Sequence, residues 1–552
     1  MSKLSRREFV YMMAMLGATP VFANSHTRMT DTKKLEDYYK LKPFGNARFL
    51  HMTDSHAQLL PVYFREPSVN LGFFSNFGKP PHIVGEKLLD YYGIKGNKRL
   101  EYAYSCVNFE KHAKVMGKVG GFAQIKTVVD YLKESFGADK TLLLDGGDTW
   151  QGSATALYTR GRDMVGAMNL LGVDVAVGHW EFTYKAEEVL ANVKELKAEF
   201  LAQNIFVKED SMMNGVEAFD EDTGHAFKPY TIKKMGNARV AIIGQAFPYT
   251  TIANPQRFIP DWTFGIKEDS MQEIVNKIKA EEKPDAIIVL SHNGFDTDKK
   301  MAEVVTGIDF IMGGHTHDGV PEAVPVKNAN GTTYVCNAGS NGKFLNVLDL
   351  DIQKGKIKDF KFTLLPIFSD LIPENKEMKK YIEDVRLPFL KELTRPIATT
   401  EQTLFRRGNF NGSWDQIICD ALLEVKEAQI SLSPGFRWGT SVMPGQTITF
   451  DDLMTQTAMT YPETYARDIK GEDIKAILED VADNLFNEDP FYQQGGDMVR
   501  TGGISYKINP TAKMGERITD IVLTKTGEKL DASKSYKVAG WSTVGAQSEG
   551  EP

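Results

Sequence analysis

Five apolar segments of this chain each end in an aspartate or a histidine, and this repeated arrangement constrains the fold more than any other feature. The segments read FLHMTDSH (49–56), TLLLDGGD (141–148), VAVGHWE (175–181), AIIVLSHNG (286–294) and DFIMGGHTH (309–317). Short apolar runs that alternate with amphipathic helical patterns are typical of an α/β domain whose strands are covered on both faces. Because the carboxyl ends of strands form the ligand crevice of such sheets, we expect these polar ends to converge.

The polar residues at the five strand ends form a candidate set of metal ligands. The set consists of Asp54, His56, Asp148, His179, His292, His315 and His317. So many N and O ligands exceed the needs of one tetrahedral ion, and they suit two ions about 3.5–4 Å apart that share a carboxylate. Mixed imidazole and carboxylate ligands favour Mn, Fe or Zn over Mg or Ca. A single Asp or His after a strand is more often part of a turn, but five such ends in order weaken that alternative.

Composition and charge restrict the classes of partner. The 65 Lys and Arg residues face 73 Asp and Glu residues, for a net charge of −8 without a long basic run, which argues against a nucleic-acid groove or an anionic membrane surface. Beyond the N-terminus no apolar run approaches the roughly 18 residues of a spanning helix, so we expect no membrane insertion. The three cysteines show no CxxC spacing, and we interpret Cys419 as a small buried hydrophobe rather than half of a disulfide.

The first 23 residues have the layout of an export signal. A charged start, an apolar stretch from Phe9 to Leu16 and small residues near Ala23 follow each other in that order. Ser5-Arg6-Arg7-Glu8-Phe9 resembles the twin-arginine signal, which directs folded proteins across the bacterial inner membrane. The alternative is a merely basic N-terminus. We therefore predict that the mature protein is periplasmic.

Two domains and a linker are predicted after the signal. Residues 44–367 alternate strands and helices and form the α/β domain, with residues 65–118, rich in Gly, Pro, Lys and Tyr, as an insertion over one end of the sheet. The sequence of residues 368–397 predicts a connecting helix with a kink at Pro388. Residues 398–552 mix helices, Gly-rich loops and alternating strands, which predicts a smaller α+β domain that closes the site.

The strand-end motifs resemble those of the calcineurin-like metallophosphoesterases, and the two-domain layout resembles the 5′-nucleotidase family. Longer stretches, among them MTDSHAQLLPVYFREPSVNLG, GDTWQGSATAL, GHWEFTY and YQQGGDMVR, resemble the SoxB family, the thiosulfohydrolases of periplasmic thiosulfate oxidation. The resemblance runs from about residue 48 to the end of the chain. It implies a four-layer αββα metallophosphoesterase-like sandwich followed by a smaller α+β domain of the 5′-nucleotidase type.

The resemblance also implies a reaction. Asp54, His56 and His317 would hold one manganese ion, His179, His292 and His315 a second, and Asp148 would bridge them; Zn²⁺ or Fe are the alternatives. A hydroxide between the metals would attack the terminal sulfone sulfur of a cysteine S-thiosulfonate on the C-terminal arm of the carrier protein SoxYZ, and sulfate would be released. The enzyme is expected to be a monomer. Two alternatives stay open, a periplasmic 5′-nucleotidase-like phosphohydrolase and a non-catalytic metal-binding partner of a redox complex.

One segment departs from the phosphoesterase pattern. Those enzymes usually carry Gly-Asn-His-Glu, whereas here His179 takes the asparagine position, Trp180 the position of the catalytic histidine and Thr183 that of a further aspartate. An alkoxide leaving group needs a proton from a general acid, because the alcohol that it forms is about as weak an acid as water, with a pKa of about 15.7. A thiol has a pKa of about 8.5, so a sulfur leaving group can depart as an anion without a general acid. We interpret Trp180 as a wall that excludes water; packing in the core is the alternative.

Candidate substrate-binding residues lie in the C-terminal domain. Arg437, together with Arg406 and Arg407, is predicted to bind the anionic end of the substrate, because an arginine fork matches a tetrahedral oxyanion. Asn409 and Tyr492 are further candidates; Tyr492, with Phe436, Trp438 and Phe491, falls where nucleotidases place base-stacking rings. Here these rings could line a channel for a peptide arm or simply pack in the core. Together with Asp148 and Trp180, Arg437 completes the predicted catalytic set.

Overall fold

The computed structural model describes residues 39–542, so the predicted signal peptide and the last ten residues, 543–552, lie outside the described residues. Between residues 39 and 542, no helix is both long and apolar enough to cross a membrane. The three cysteines, Cys106, Cys336 and Cys419, are all free thiols, and Cys419 is buried as predicted.

Two six-stranded sheets form the N-terminal domain. Its strands are β1 (Ala47–Met52), β2 (Thr141–Asp145), β3 (Val175–Ala176), β4 (Glu199–Phe200), β5 (Phe206–Val207), β6 (Tyr230–Met235), β7 (Ala238–Gln245), β8 (Trp262–Thr263), β9 (Ala286–Ser291), β10 (Phe310–Gly313), β11 (Val324–Asn328), β12 (Gly331–Asn337), β13 (Phe344–Gln353) and β14 (Lys356–Pro366). One sheet has the order β14-β13-β1-β2-β3-β4 and the other β11-β12-β10-β9-β7-β6, while β5 and β8 form a separate antiparallel pair. The strands that precede the predicted ligands run parallel to one another, β1, β2 and β3 in one sheet and β9 and β10 in the other, so their carboxyl ends lie at one edge of each sheet.

The described part of the N-terminal domain also contains eleven α-helices. They are α1 (Gly85–Tyr92), α2 (Lys98–Tyr104), α3 (Phe109–Met116), α4 (Phe122–Phe136), α5 (Ala154–Thr159), α6 (Arg162–Leu171), α7 (Lys185–Glu195), α8 (Glu209–Met213), α9 (Thr250–Ala253), α10 (Glu268–Lys277) and α11 (Phe295–Val304). Neighbouring residues of β7 alternate between two hydrophobic clusters. Ile242 faces the core between the sheets, and Ile243 packs with the cluster that includes residues of α10 and α11. This alternation follows from the two-residue period of a strand, and it confirms the predicted αββα sandwich.

The predicted insertion, 65–118, carries the helices α1, α2 and α3, although its apolar periodicity is weak. Tyrosine explains the difference, since Tyr102 and Tyr104 bury their rings while their hydroxyls donate to the backbone oxygens of Gly117 and Leu364, each at 2.6 Å. A side chain with an apolar body and a polar tip can build a core without an apolar sequence pattern.

The linker and the C-terminal domain follow. Helix α12 (Lys376–Arg386) gives way to a 3₁₀ turn (Leu387–Phe389) and then to α13 (Leu390–Leu393), because Pro388 has no N–H to continue the helix. The C-terminal domain contains β15 (Pro396–Thr399), α14 (Ser413–Val425), β16 (Ile430–Ser433), β17 (Thr447–Thr449), α15 (Phe450–Thr457), β18 (Thr464–Lys470), α16 (Gly471–Phe486), β19 (Arg500–Gly502), β20 (Ile504–Ile508), β21 (Ile518–Leu523) and β22 (Ser535–Trp541). Its main sheet has the order β18-β22-β16-β19. The observed mixture of helices and strands is the predicted α+β arrangement.

Candidate metal centre

The structure brings all seven predicted metal ligands together in two buried groups that share one carboxylate. Their ligand atoms lie within 4.8 Å of one another inside each group. The first group is Asp54, His56, Asp148 and His317, and the second is Asp148, His179, His292 and His315. The loops that carry them follow β1, β2 and β3 of one sheet and β9 and β10 of the other. The site therefore lies where the carboxyl ends of the two sheets meet.

Several ring nitrogens in the two groups point at one another or have no hydrogen-bond partner. His56 Nε2 lies 3.1 Å from His317 Nε2, and His317 Nε2 lies 3.2 Å from an Asp54 oxygen. Both ring nitrogens of His315 are buried without a partner, as is Nε2 of His179. Buried polar atoms in proteins are almost always paired, so this cluster of lone pairs fits bound cations. Two sites with a shared aspartate match a dinuclear metal centre.

Backbone contacts orient two of the imidazoles. His56 Nδ1 lies 3.2 Å from the carbonyl oxygen of Gln151, and His292 Nδ1 lies 2.5 Å from that of Gly146. A carbonyl oxygen can only accept, so each Nδ1 carries the proton and each Nε2 keeps its lone pair toward the centre. This outer contact fixes both the tautomer and the direction of the ring, as is usual for histidine ligands.

The backbone at the ligands adopts a conformation that residues other than glycine rarely adopt. Five of the seven ligands have positive φ angles: Asp54 (51°), His56 (44°), Asp148 (57°), His315 (72°) and His317 (59°). Each such residue is strained, and strained residues of this kind cluster at functional sites where the surrounding structure holds them. The fold thus holds the ligand loops in a shape that the loops alone would not favour.

Glu181 holds two of these loops and was not predicted as a site residue. One of its oxygens accepts from the backbone N–H groups of His179 (2.7 Å) and Asp148 (3.3 Å), and the other from those of Thr149 (2.7 Å) and Trp150 (3.2 Å). The signal in the sequence is the glutamate of GHWEF, which keeps the last position of the phosphoesterase pattern Gly-Asn-His-Glu. Its four partners are backbone groups, which a sequence pattern does not reveal.

Burial and charge set the protonation states of the ligands. Burial by itself would raise the pKa of Asp148, but the nearby His179, His292 and His56 outweigh this effect and hold the pKa well below its usual range. Burial lowers the pKa of His315 and of His317 well below the ordinary value. Burial alone would lower the pKa of His292, but the carboxylates of Asp148 and Asp54 outweigh it and raise the pKa to about 10. The site therefore offers an ionised Asp148 and neutral His315 and His317, the forms that bind metal ions, whereas a bound cation would have to displace the proton of His292.

Trp180 lies between the metal ligands and the C-terminal domain. Its backbone N–H donates to Asp148 Oδ1 at 2.8 Å, which fixes the shared carboxylate. Its indole ring is 5 % exposed and stands edge-on to Trp438, with ring centroids 5.0 Å apart, and to Phe436 at 5.5 Å. Thr183, in the same segment, contacts Thr460 of the C-terminal domain through their hydroxyls at 2.6 Å. The segment thus joins the metal site to an aromatic cluster between the domains.

A cleft leads from the metal site to the surface, and two predicted substrate residues line it. Its inner end reaches His315 and Arg437, and Asn409 forms part of its wall. Arg437 Nε donates to Asp497 at 3.2 Å and Nη2 to the carbonyl of Gly496 at 2.6 Å, whereas Nη1 has no partner. The guanidinium is therefore fixed on one side and keeps one buried nitrogen without an acceptor, beside the cleft.

The other three predicted substrate residues have different surroundings. Arg406 is buried and donates to Asp415 at 2.9 Å and to the carbonyl of Gln456, so it stabilises the interior of the C-terminal domain instead of lining the cleft. Arg407 donates to the carbonyl of Thr316 at 2.7 Å and so ties the domain to the loop between two ligands. Tyr492 is 63 % exposed at the outer surface.

The aromatic residues at the predicted base-stacking positions do not face each other across the cleft. Phe436 stacks on Trp438 with ring centroids 3.9 Å apart, inside the cluster that contains Trp180. Phe491 instead packs beside the core around α11. This arrangement corresponds to the packing alternative for both rings.

The chain is similar to 5′-nucleotidases and to a sulfate thiohydrolase. Residues 396–550 match the model of the 5′-nucleotidase C-terminal domain. The chain is 26 % identical to the 5′-nucleotidase of Bos taurus over 79 % of this chain and 78 % of that protein. It is 28 % identical to the trifunctional nucleotide phosphoesterase YfkN of Bacillus subtilis over 74 % of this chain, but it spans only 30 % of that longer protein. The solved structure of the sulfate thiohydrolase SoxB from Thermus thermophilus, in complex with glycerol, is 35 % identical, with a TM-score of 0.86 over 93 % of this chain and 92 % of that one.

Proposed function

Because this chain belongs to the superfamily of 5′-nucleotidases and calcineurin-like phosphoesterases and is a metal-dependent hydrolase, we propose that it is a sulfate thiohydrolase of the SoxB type. Its substrate would be a cysteine S-thiosulfonate on the carrier protein SoxYZ, and its location the periplasm, as the twin-arginine pattern suggests. The observation that carries the proposal is Trp180, an indole where a phosphoesterase has its general acid. The 35 % identity to the Thermus SoxB supports it.

Two metal ions, proposed to be manganese, would lower the pKa of a water and neutralise the oxygens of the substrate. Asp148, Trp180 and Arg437 then have separate roles. Asp148, fixed by the backbone N–H of Trp180, is the carboxylate that both groups share. The free Nη1 of Arg437 binds a sulfonate oxygen, and the indole of Trp180 keeps other water out.

The bond changes require no general acid. The oxygen of water bonds to the terminal sulfone sulfur while the adjacent S–S bond breaks, and the electron pair of that bond stays on the sulfur attached to the carrier. A thiol has a pKa of about 8.5, so this sulfur leaves as an anion near neutral pH. The two protons of the water go to solvent as sulfate departs. The indole at position 180 is compatible with this chemistry, whereas an alkoxide would need a proton.

A 5′-nucleotidase-like phosphohydrolase is the second candidate. The domain match at residues 396–550 and the nucleotidase relatives favour it. Phe436 argues against it, because this ring is engaged with Trp438 and does not offer a stacking platform in the cleft.

A direct comparison of substrates tests the proposal. The exported protein is analysed for bound metal, and sulfate release from thiosulfonate-loaded SoxYZ is measured beside hydrolysis of a panel of nucleotides. We expect two metal ions per chain and sulfate release without nucleotide hydrolysis. Nucleotide hydrolysis without sulfate release would establish the second candidate instead. Asp148→Asn should abolish metal binding and activity if the protein is an enzyme, whereas carrier binding should be retained both for an enzyme and for a non-catalytic partner.

The role of Trp180 is tested by restoring the missing acid. Trp180→His combined with Thr183→Asp should raise phosphomonoesterase activity and lower sulfate release. Trp180→Phe combined with Thr183→Ser is the matched control, because it changes the same two positions without adding an acid. If neither activity differs between the two double variants, the link between the indole and sulfur chemistry fails.

A further inference from the structure

Residues 70–82, which we call the strap, form one side of the cleft. The strap belongs to the predicted insertion, and residues 70–76, 81 and 82 all line the cleft that leads to His315 and Arg437. The facing walls come from α11 and from the end of α16 with the following loop. The cleft is thus bounded by three separate parts of the chain. The strap contacts both of the other two, which also meet each other directly where the Thr297 hydroxyl donates to the carbonyl oxygen of Pro490 at 3.1 Å.

Polar side chains anchor the strap to the metal-binding domain. His82 Nε2 lies 2.7 Å from Asp296 Oδ2 at the start of α11, and each of these side chains is 12 % exposed. Lys299, one turn further along α11, donates to Asn76, and Asn70 donates to Asp318 at 3.1 Å. These contacts hold the strap at both of its ends.

Charge strengthens the contact at His82. Burial alone would lower the pKa of His82, but the Asp296 carboxylate outweighs this and raises it, with Asp318 acting in the same direction and Lys299 against it. The anchor is therefore an ion pair when His82 is protonated.

Apolar packing anchors the strap to the C-terminal domain. Leu71 and Phe73 pack on the hydrophobic core of that domain, and Phe73 stands edge-on to Phe486 of α16 with ring centroids 4.9 Å apart. The backbone N–H of Leu71 also donates to Asn409 Oδ1 at 2.7 Å. Since the strap is attached to both domains, the cleft cannot widen until at least one set of these contacts breaks.

We propose that the strap determines which leaving groups reach the metal site. By holding the walls of the cleft at a fixed separation, it admits an extended polypeptide arm and excludes the nucleoside of a nucleotide. This inference rests on the proposed function, because the admitted leaving group is the arm of a carrier protein. Gly495 at the inner end fits that geometry, because a Cβ there would lie 1.9 Å from His315 Nε2 and only glycine lets the loop pass this close to the ligand.

Releasing one anchor on each side tests the strap. The variant is His82→Ala with Phe73→Ala, and the milder single variant His82→Gln serves if the double variant does not fold. The matched control is His112→Ala with Phe109→Ala, which removes a buried histidine near an acid and a buried phenylalanine from the same insertion, outside the cleft lining. Dissociation constants for AMP and for inorganic sulfate are measured by calorimetry, alongside thermal unfolding.

We expect AMP to bind at least about tenfold more tightly to the strap variant than to the control, because pocket shape typically discriminates ligands by such factors. Inorganic sulfate should bind equally to the wild-type protein, the strap variant and the control. Equal AMP affinity in the strap and control variants would overturn the inference. Failure of the proposed function gives a different result from failure of the inference about the strap. In that case the wild-type protein releases no sulfate from the loaded carrier, whatever the strap variant does with AMP.

Discussion

Glu181→Gln is the sharpest test of how the metal centre is built. The substitution keeps the shape of the side chain but replaces one carboxylate oxygen with an amide NH₂ group. Each oxygen of Glu181 accepts from two backbone N–H groups. Whichever way the amide turns, two backbone donors therefore lose their acceptor and face another donor.

The expected loss of stability follows from the two backbone donors that lose their acceptor. A buried donor left without its acceptor costs about 1–3 kcal/mol, so two such donors destabilise the folded state by about 2–6 kcal/mol. The affected N–H groups belong to the loops of Asp148 and His179, and Asp148 is shared by both ligand groups. Loss of a group that orients metal ligands typically weakens metal binding by about 10–100-fold. We therefore expect lower stability and lower metal content together.

The assay pairs metal analysis with urea unfolding. Glu479→Gln is the control, because Glu479 is also a buried carboxylate that accepts from backbone N–H groups, those of Gly515, Arg517 and Ile518. It lies in the C-terminal domain, so its loss should lower stability and leave the metal content intact. If Glu181→Gln retains its metal as tightly as Glu479→Gln does, Glu181 does not organise the ligand loops.

Three further predictions concern the cleft. Gly495→Ala should lose metal, because the added methyl would stand 1.9 Å from His315 Nε2 on a backbone with a φ of +80°; a full metal complement on elemental analysis would contradict this. Because its acid partner raises the pKa of His82, its ion pair stabilises the fold fully below the unfolded pKa of about 6.5 and is lost as pH rises through the raised value. As the pH rises through this range, the free energy of unfolding of the wild-type protein should therefore fall relative to that of His82→Gln. Parallel curves of unfolding free energy against pH would refute the ion pair. Asp497→Asn should weaken calorimetric sulfate binding about tenfold by freeing Arg437, and unchanged binding would show that the guanidinium does not need this partner.

Much of the metal centre could be predicted because its ligands follow apolar strands. The carboxyl ends of such strands form the ligand crevice, so Asp54 after β1 and His317 after β10 could be grouped although the two strands belong to different sheets. The fold class follows from the same alternation of strands and helices. Metal ligands also have few chemical alternatives, which makes their residue types informative.

The cleft was harder to predict because its residues depend on pairing between elements. Arg406 and Arg407 are adjacent in sequence, yet Arg406 pairs with Asp415 in the interior and Arg407 reaches the ligand loop. Which arginine meets which partner depends on how α14 docks, and a sequence pattern holds no such information. The strap was hidden for a related reason, since its anchors lie on two domains.

The left-handed backbone at the five ligands has a consequence for how such a site changes over evolutionary time. Each of these residues costs on the order of 1–3 kcal/mol, so together they cost on the order of 5–15 kcal/mol, comparable to the whole stability of a typical domain. Glycine at any of the five would relieve that cost while deleting a ligand. In the metal-free protein such a substitution would relieve strain, so the fold alone does not account for aspartate and histidine at these positions, and their role as ligands does.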